Sequence, residues 1–207
     1  MQGQLDTPLD AVGRGQAVAA ARVLVAAAPV VLLTSDLTRA RDTAAPLASA
    51  TGLDPVPEPR LRELFLGTWQ GLTSAQAKLQ HPDEHAAWRA GRDVPRGGGE
   101  TYRQAGERAA ACLMGHLPAV PAGGTLIAVT HGGTAKAALG VLLELPDTHW
   151  GRLAPLDNAC WSVLVEAEWG WRLERHNTAP GPLGGVVGGA LTGQPAVVVA
   201  TPEAQAL

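Results

Sequence analysis

The chain has 207 residues, with 16 Lys+Arg against 19 Asp+Glu and a net charge of -3, which is the size of a single domain. At 46% hydrophobic and 17% charged residues it can build a core, and its weakly acidic balance excludes the basic face that a nucleic-acid or anionic-membrane partner would need. Two cysteines, Cys112 and Cys160, without a CxxC pair exclude a disulfide scaffold and make a reducing cytoplasm the default compartment. The longest apolar run, residues 23–33, is broken by Pro29, so no membrane-spanning helix is expected, and the polar, acidic opening MQGQLDTPLD is no signal peptide.

In chain order, an Ala-rich helix is predicted over about 11–28, stopping at Pro29, followed by a short buried strand over 30–33. Thr34-Ser35-Asp36 reads as a helix start, with the helix running to about Thr51 and Gly52. Residues 54–72, interrupted by Pro55, Pro57 and Pro59, read as strand plus loop. Short helices are expected over 74–79 and 84–90, and a long one from Glu100-Thr101 to about 117, entered through the loop Gly97-Gly98-Gly99. Residues 125–129 form a second buried strand, and Thr130-His131-Gly132-Gly133 opens a helix to about 143. Two antiparallel strands, 160–166 and 170–176, close the domain. Alternating helices and wholly apolar strands predict a three-layer α/β/α fold on a mostly parallel sheet. Residues 1–177 are read as the domain, and the Gly/Pro-rich 178–207 as an unstructured tail; within it, 195–201 with Val197-Val198-Val199 is read as a short apolar strand segment.

Ligands of open α/β sheets sit outside the carboxyl ends of the strands. Two strand ends carry anion-seeking groups: TSDLTRARDTA (34–44) places Arg39 in the first turn of a helix, and LIAVTHGGTAKAAL (126–139) places His131 at a strand end and a helix N-terminus. Gly132 and Gly133 let backbone N–H groups approach a ligand there. If the two strands are parallel neighbours, Arg39 and His131 meet at one rim and outline a phosphate pocket. Taken singly, an Arg is more often a surface ion-pair residue, a His can simply cap a helix, and Glu63 in RLRELFLGTWQGLT (60–73) is one acid in a loop. The six histidines show no paired metal-ligand spacing, so no metal site is expected. Phe65, Trp69, Trp88 and Tyr102 are candidates for a pocket mouth, although large aromatic residues are core residues more often.

Together and in this order, these segments resemble the histidine phosphatases of the phosphoglycerate mutase-like superfamily over most of the chain, to about Asn177. TSDLTRARDTA resembles the family's SSDLxRAxxTA, LRELFLGTWQGLT its LRExxxGxWxG, PRGGGET its P-x-GES loop, and VTHGG its second histidine motif. Within the superfamily, MQGQLDT, LGTWQGLT and NACW…GWRLERHN are most similar to the actinobacterial glucosyl-3-phosphoglycerate phosphatases. The resemblance implies a phosphoglycerate mutase-like fold and a phosphomonoesterase without metal or other cofactor, acting on a small sugar- or glycerate-type phosphate through a phosphohistidine. Arg39 and His131 would hold the phosphoryl oxygens, Glu63 would be the proton donor, and Gln2, Gly3 and Gly132 would lie against the substrate.

One departure is large. The family begins with an inner strand ending in Arg-His-Gly, whose His is the nucleophile, and MQGQLDTPLDAVGRGQA matches what normally follows it. The expectation is therefore an N-terminally truncated domain, with Met1 internal to a longer protein, a sheet lacking its first strand, and a chain that is inactive as it stands. Otherwise, 195–201 would fill the vacant position in a non-catalytic phosphate-binding or regulatory protein. Arg175-His176-Asn177 matches the family's final segment and is not read as the nucleophile. A phosphoglycerate mutase is a third, weaker reading, since little length is left for a lid insert. The expected partner is a small phosphomonoester; a two-fold homodimer is the default on frequency alone, with no residue pointing to it.

Overall fold

The computed structural model describes residues 1–181 and 195–201. Helix α1 (Ala11–Leu24) is capped by Asp10, whose carboxylate accepts from the Gly13 N–H, and leads through a 3₁₀ turn to strand β1 (Pro29–Thr34). Helix α2 (Thr38–Thr51) ends on Gly52, which takes the left-handed conformation (φ 74°). Its start differs from expectation. Thr34-Ser35-Asp36 supplies no cap; Asp6, far away in sequence, accepts from the Thr38 N–H at 2.7 Å and the Thr38 hydroxyl at 2.9 Å. Asp36 is instead engaged by the Arg62 guanidinium in two bonds of 2.7 and 2.6 Å.

Beyond β2 (Val56–Pro57), two 3₁₀ turns and the short helices α3 (Ser74–Gln80) and α4 (Pro82–Arg89), helix α5 (Tyr102–His116) starts on a reciprocal Thr101–Gln104 capping box. Strand β3 (Thr125–Val129), helix α6 (Gly132–Leu142) and the hairpin β4 (Trp161–Ala167)–β5 (Gly170–Thr178) follow close to their expected places. The larger correction lies at the far end of the chain. Residues 196–200, expected to be a segment of an unstructured tail, form strand β6 (Ala196–Ala200) in the interior of the sheet. The remainder of 178–207 beyond 181 and 201 lies outside the described residues.

The sheet order is β2-β1-β3-β6-β4-β5, with β2, β1, β3 and β6 parallel and β4 antiparallel to both its neighbours. The mostly parallel three-layer α/β reading therefore holds, but the inner position expected to be vacant is occupied. β6 pairs Thr125↔Ala196 through Val129↔Ala200 on one side and Trp161↔Ala200 through Val165↔Ala196 on the other. An empty slot there would orphan backbone groups on both β3 and β4, at about 1–3 kcal/mol for each buried group, and that cost favours the apolar segment over a loose tail. Its residues are apolar at every position because both faces are covered. Ala196, Val198 and Ala200 join the core under α1 and α2, which includes Leu24, Leu47 and Ile127, while Val197 and Val199 join the core under α5 and α6, which includes Leu113, Leu126 and Leu139.

Candidate active site

β1 and β3 are parallel neighbours whose carboxyl ends coincide, Thr34 opposite Val129, with the Ser35 N–H donating to Val129 O at 2.8 Å. Arg39 and His131, just beyond these ends, open onto one cleft of about 300 Å³. All six sequence-predicted site residues line it: Gln2, Gly3, Arg39, Glu63, His131 and Gly132. The rim predicted from strand order is present.

Arg39 is 2% exposed, and two of its five N–H bonds are used on backbone carbonyls: Leu5 O at 2.7 Å and Gly3 O at 2.8 Å. Burial lowers its pKa, against the pull of Glu63 and Asp6. Gly3 is held at φ 56°, and a Cβ there would come within 2.6 Å of the Gln70 side-chain oxygen, so the loop that holds Arg39 needs a glycine.

His131 is the N-cap residue of α6 but makes no side-chain cap bond; its ring Nε2 lies 2.9 Å from Ser35 Oγ. At 3% exposure, burial first and then Arg39 and Arg108 hold its pKa well below 6.5, so the ring is neutral.

The end of α6 differs from the sequence reading. The Gly133 N–H does not face a ligand; it donates to Glu63 Oε2 at 3.1 Å, and the Thr134 N–H and hydroxyl donate to Glu63 Oε1 at 2.9 and 3.1 Å. The Glu63 carboxylate itself is thus the anion at the helix N-terminus. Three consecutive loop carbonyl or carboxylate groups dock on this end of the sheet. Leu61 O accepts from Thr130 Oγ1 at 2.7 Å, Arg62 O from Thr134 Oγ1 at 2.9 Å, and Glu63 as described. Behind them, Arg108 on α5 donates to Arg60 O, Glu63 O and the Glu100 carboxylate. Burial pushes the Glu100 carboxyl up, but Arg108 and the Phe65 N–H hold it below its ordinary value, so it is a fixed anion that stiffens the loop.

Residues 1–179 match the model of the histidine phosphatase superfamily, branch 1. The chain belongs to that superfamily. A glucosyl-3-phosphoglycerate phosphatase of Mycobacterium tuberculosis is 38% identical over 195 residues, covering 86% of this chain and 87% of the relative. A probable phosphoglycerate mutase of Yersinia enterocolitica is 36% identical over 186 residues, covering 84% and 83%. Among solved structures, the mycobacterial glucosyl-3-phosphoglycerate phosphatase in complex with inorganic phosphate superposes with a TM-score of 0.79 at 40% identity, covering 87% of this chain and 92% of that one. By membership in the histidine phosphatase family, the chain is a hydrolase of the phosphatase class, and among its described residues no helix is long and apolar enough to cross a membrane.

Other residues fall differently around this cleft. Arg96, Tyr102, Leu156 and Asn158 line it and were not read as site residues, apart from Tyr102 as a candidate for the mouth. Trp69 is core (0% exposed), Trp88 packs edge-on against it at 5.9 Å, and Phe65 is exposed outside the cleft. His176 does not line the cleft; its ring contacts Ser162 Oγ at 2.9 Å and Ala154 O at 3.0 Å. Among the described residues, Glu58, Cys112 and His116 are the one set close enough to hold a cation, and none of the three lines the cleft. There Glu58 is held by Arg60 and His116, which lower its pKa to about 2, and burial pushes the Cys112 thiol up to about 12.

Proposed function

We propose that the cleft takes a small sugar- or glycerate-type phosphomonoester, with glucosyl-3-phosphoglycerate as the candidate substrate, and that the chain works in the cytoplasm without a metal. The observation that carries this reading is the meeting of Arg39 and His131, from two separate strand ends, in one cleft with Glu63. Arg39 has N–H bonds to spare after its two carbonyl bonds, and these would hold the phosphoryl oxygens as charge develops on them. His131, neutral when the cleft is empty, would add a further contact to the same group. Glu63, fixed at the α6 N-terminus, would be the proton donor: protonated before the transfer, it would give that proton to the alcohol oxygen as its bond to phosphorus breaks and the incoming nucleophile, a histidine in the family resemblance, bonds to phosphorus. Gln2, Gly3 and Gly132 would bound the substrate.

A second reading, a protein that binds a phosphomonoester without turning it over, is favoured by one specific observation. In the family resemblance the covalent nucleophile is a histidine at the end of an inner strand. Here β6 ends at Ala200, whose carbonyl accepts from the Thr130 N–H, and the hydroxyl of the next residue, Thr201, donates to Asp157 O at 2.6 Å. His131 is the only imidazole among the described residues lining the cleft.

One experiment separates the two readings. The 207-residue chain is assayed for phosphate release from glucosyl-3-phosphoglycerate with a chelator present, and for binding of inorganic phosphate by calorimetry. Chelator-resistant release that falls about 10²–10³-fold in Arg39→Ala and His131→Ala supports the phosphatase. Phosphate binding that Arg39→Ala abolishes, with no release, supports the binding protein. Neither binding nor release overturns both.

A further inference from the structure

Arg96 is a buried charge that the site described so far does not use. It lies in the 3₁₀ turn Arg96–Gly98, is 6% exposed, and lines the same cleft as Arg39 and His131. No described residue gives its guanidinium a hydrogen bond or an ion pair. Its contacts are aromatic: the Tyr102 ring with its centroid at 4.8 Å and the Trp88 ring at 5.7 Å. The acids of the neighbourhood are engaged elsewhere. Glu84 accepts from the Gly97 N–H, Asp93 from the Tyr102 and Arg103 N–H groups, Glu100 is paired with Arg108, and Asp147 with Arg103. Lys136, on the first turns of α6, places its ammonium 5.4 Å from the Tyr102 ring and likewise has no carboxylate partner among the described residues; its burial and Arg96 lower its pKa.

The two ring faces offset only part of the cost of holding a guanidinium in so enclosed a place. An anion in the cleft would supply the polar partner that the Arg96 N–H groups lack among the described residues. The phosphoryl group is accounted for at Arg39 and His131, so the anion at Arg96 is a second one. A planar fork held flat by aromatic rings matches a carboxylate through two parallel bonds.

We propose that Arg96, backed by Tyr102 and Lys136, is a second anion subsite that binds a carboxylate carried by the phosphomonoester. This inference rests on the phosphomonoester reading above. It limits the substrates to acidic phosphomonoesters and makes uncharged phosphorylated alcohols poor ligands.

The test is calorimetry on the full chain with inorganic phosphate, glycerol 3-phosphate and 3-phosphoglycerate, the last two differing by a carboxylate in place of a hydroxymethyl group. The wild type is expected to bind 3-phosphoglycerate about tenfold or more tighter than glycerol 3-phosphate. Arg96→Met should erase that preference while still binding inorganic phosphate, and Arg96→Lys should restore part of it. If phosphate binds but the two esters bind equally, or if Arg96→Met keeps the preference, the subsite is overturned and the phosphoryl site stands. If Arg96→Met unfolds, Lys136→Met, which should narrow the preference, decides instead, and an unchanged preference there overturns the proposal. If the wild type binds no phosphate at all, both readings fall.

Discussion

His131 combines full burial with a neutral ring, and that combination has a measurable cost. In the unfolded chain an imidazole titrates near pH 6.5, whereas in the fold its pKa lies well below that value. Below about pH 6.5 the unfolded state therefore binds a proton that the folded state does not, and stability that is complete at higher pH is lost as the pH falls. The melting temperature should decline between pH 7 and 5, and His131→Gln should flatten that decline; an equal slope in the variant would show that other groups dominate. At this scale, Arg39 and His131 are legible as candidates because each stands just beyond a strand end, and Glu63, an acid in a loop, only through the order of the family segments. Arg96 stands in PRGGGET, where nothing local marks it as a site residue. Its burial is created by Trp88 on α4 and Tyr102 on α5, which the sequence does not place against it. The Gly133 N–H faces Glu63 and not a ligand for the same reason, since the carboxylate that occupies it lies seventy positions away.

Among the elements, α2 shows how a start signal can mislead. Thr34-Ser35-Asp36 has the composition of a cap, yet the helix begins at Thr38 and receives its capping carboxylate from Asp6. Local composition identifies residues able to cap, but it does not reveal a competitor such as Arg62, which takes Asp36 in a two-bond fork. Asp6→Ala should destabilise the fold by about 0.5–2 kcal/mol, the usual range for a lost cap, and Asp6→Asn by less. Denaturant melts would check this, with equal midpoints for wild type and Asp6→Ala as the contrary result. The same substitution loosens residues 3–6, whose carbonyls hold Arg39, so phosphate affinity should fall along with stability. The strands β1 and β3 and helices α5 and α6 were legible almost to their ends because each is long, periodic and bounded by a local signal. Strand β6 was not. Five apolar residues after a Gly/Pro-rich stretch have the same composition whether they are loose or enclosed.

For the molecule as a whole, β6 joins the two halves of the sheet. Val197, Val198 and Val199 are each 1% exposed or less, and burying each contributes about 1.5–3 kcal/mol. Their sum is comparable with the whole stability of a domain, about 5–15 kcal/mol. Ending the chain at Gln194 should therefore abolish cooperative unfolding and loosen the side-chain packing, seen as lost near-ultraviolet dichroism with most helical signal kept. A truncated chain that melts as sharply as the full one would refute the role given to this strand.

The position of β6 also sets the order in which the protein can be built. Thr125 pairs with Ala196, and Trp161 with Ala200, so the middle of the sheet depends on contacts across long stretches of chain. Such pairings pay their loop-closure entropy before they gain any stabilisation, which makes folding slow. On the ribosome, β1, β3, β4 and β5 are complete while the strand that joins them is still unmade. Until residue 201 has cleared the exit tunnel, β3 and β4 each present an open, apolar edge, the kind of surface that pairs with other chains. Synthesis therefore passes through an interval in which these two edges are open to other chains, and it ends when β6 takes its place between them.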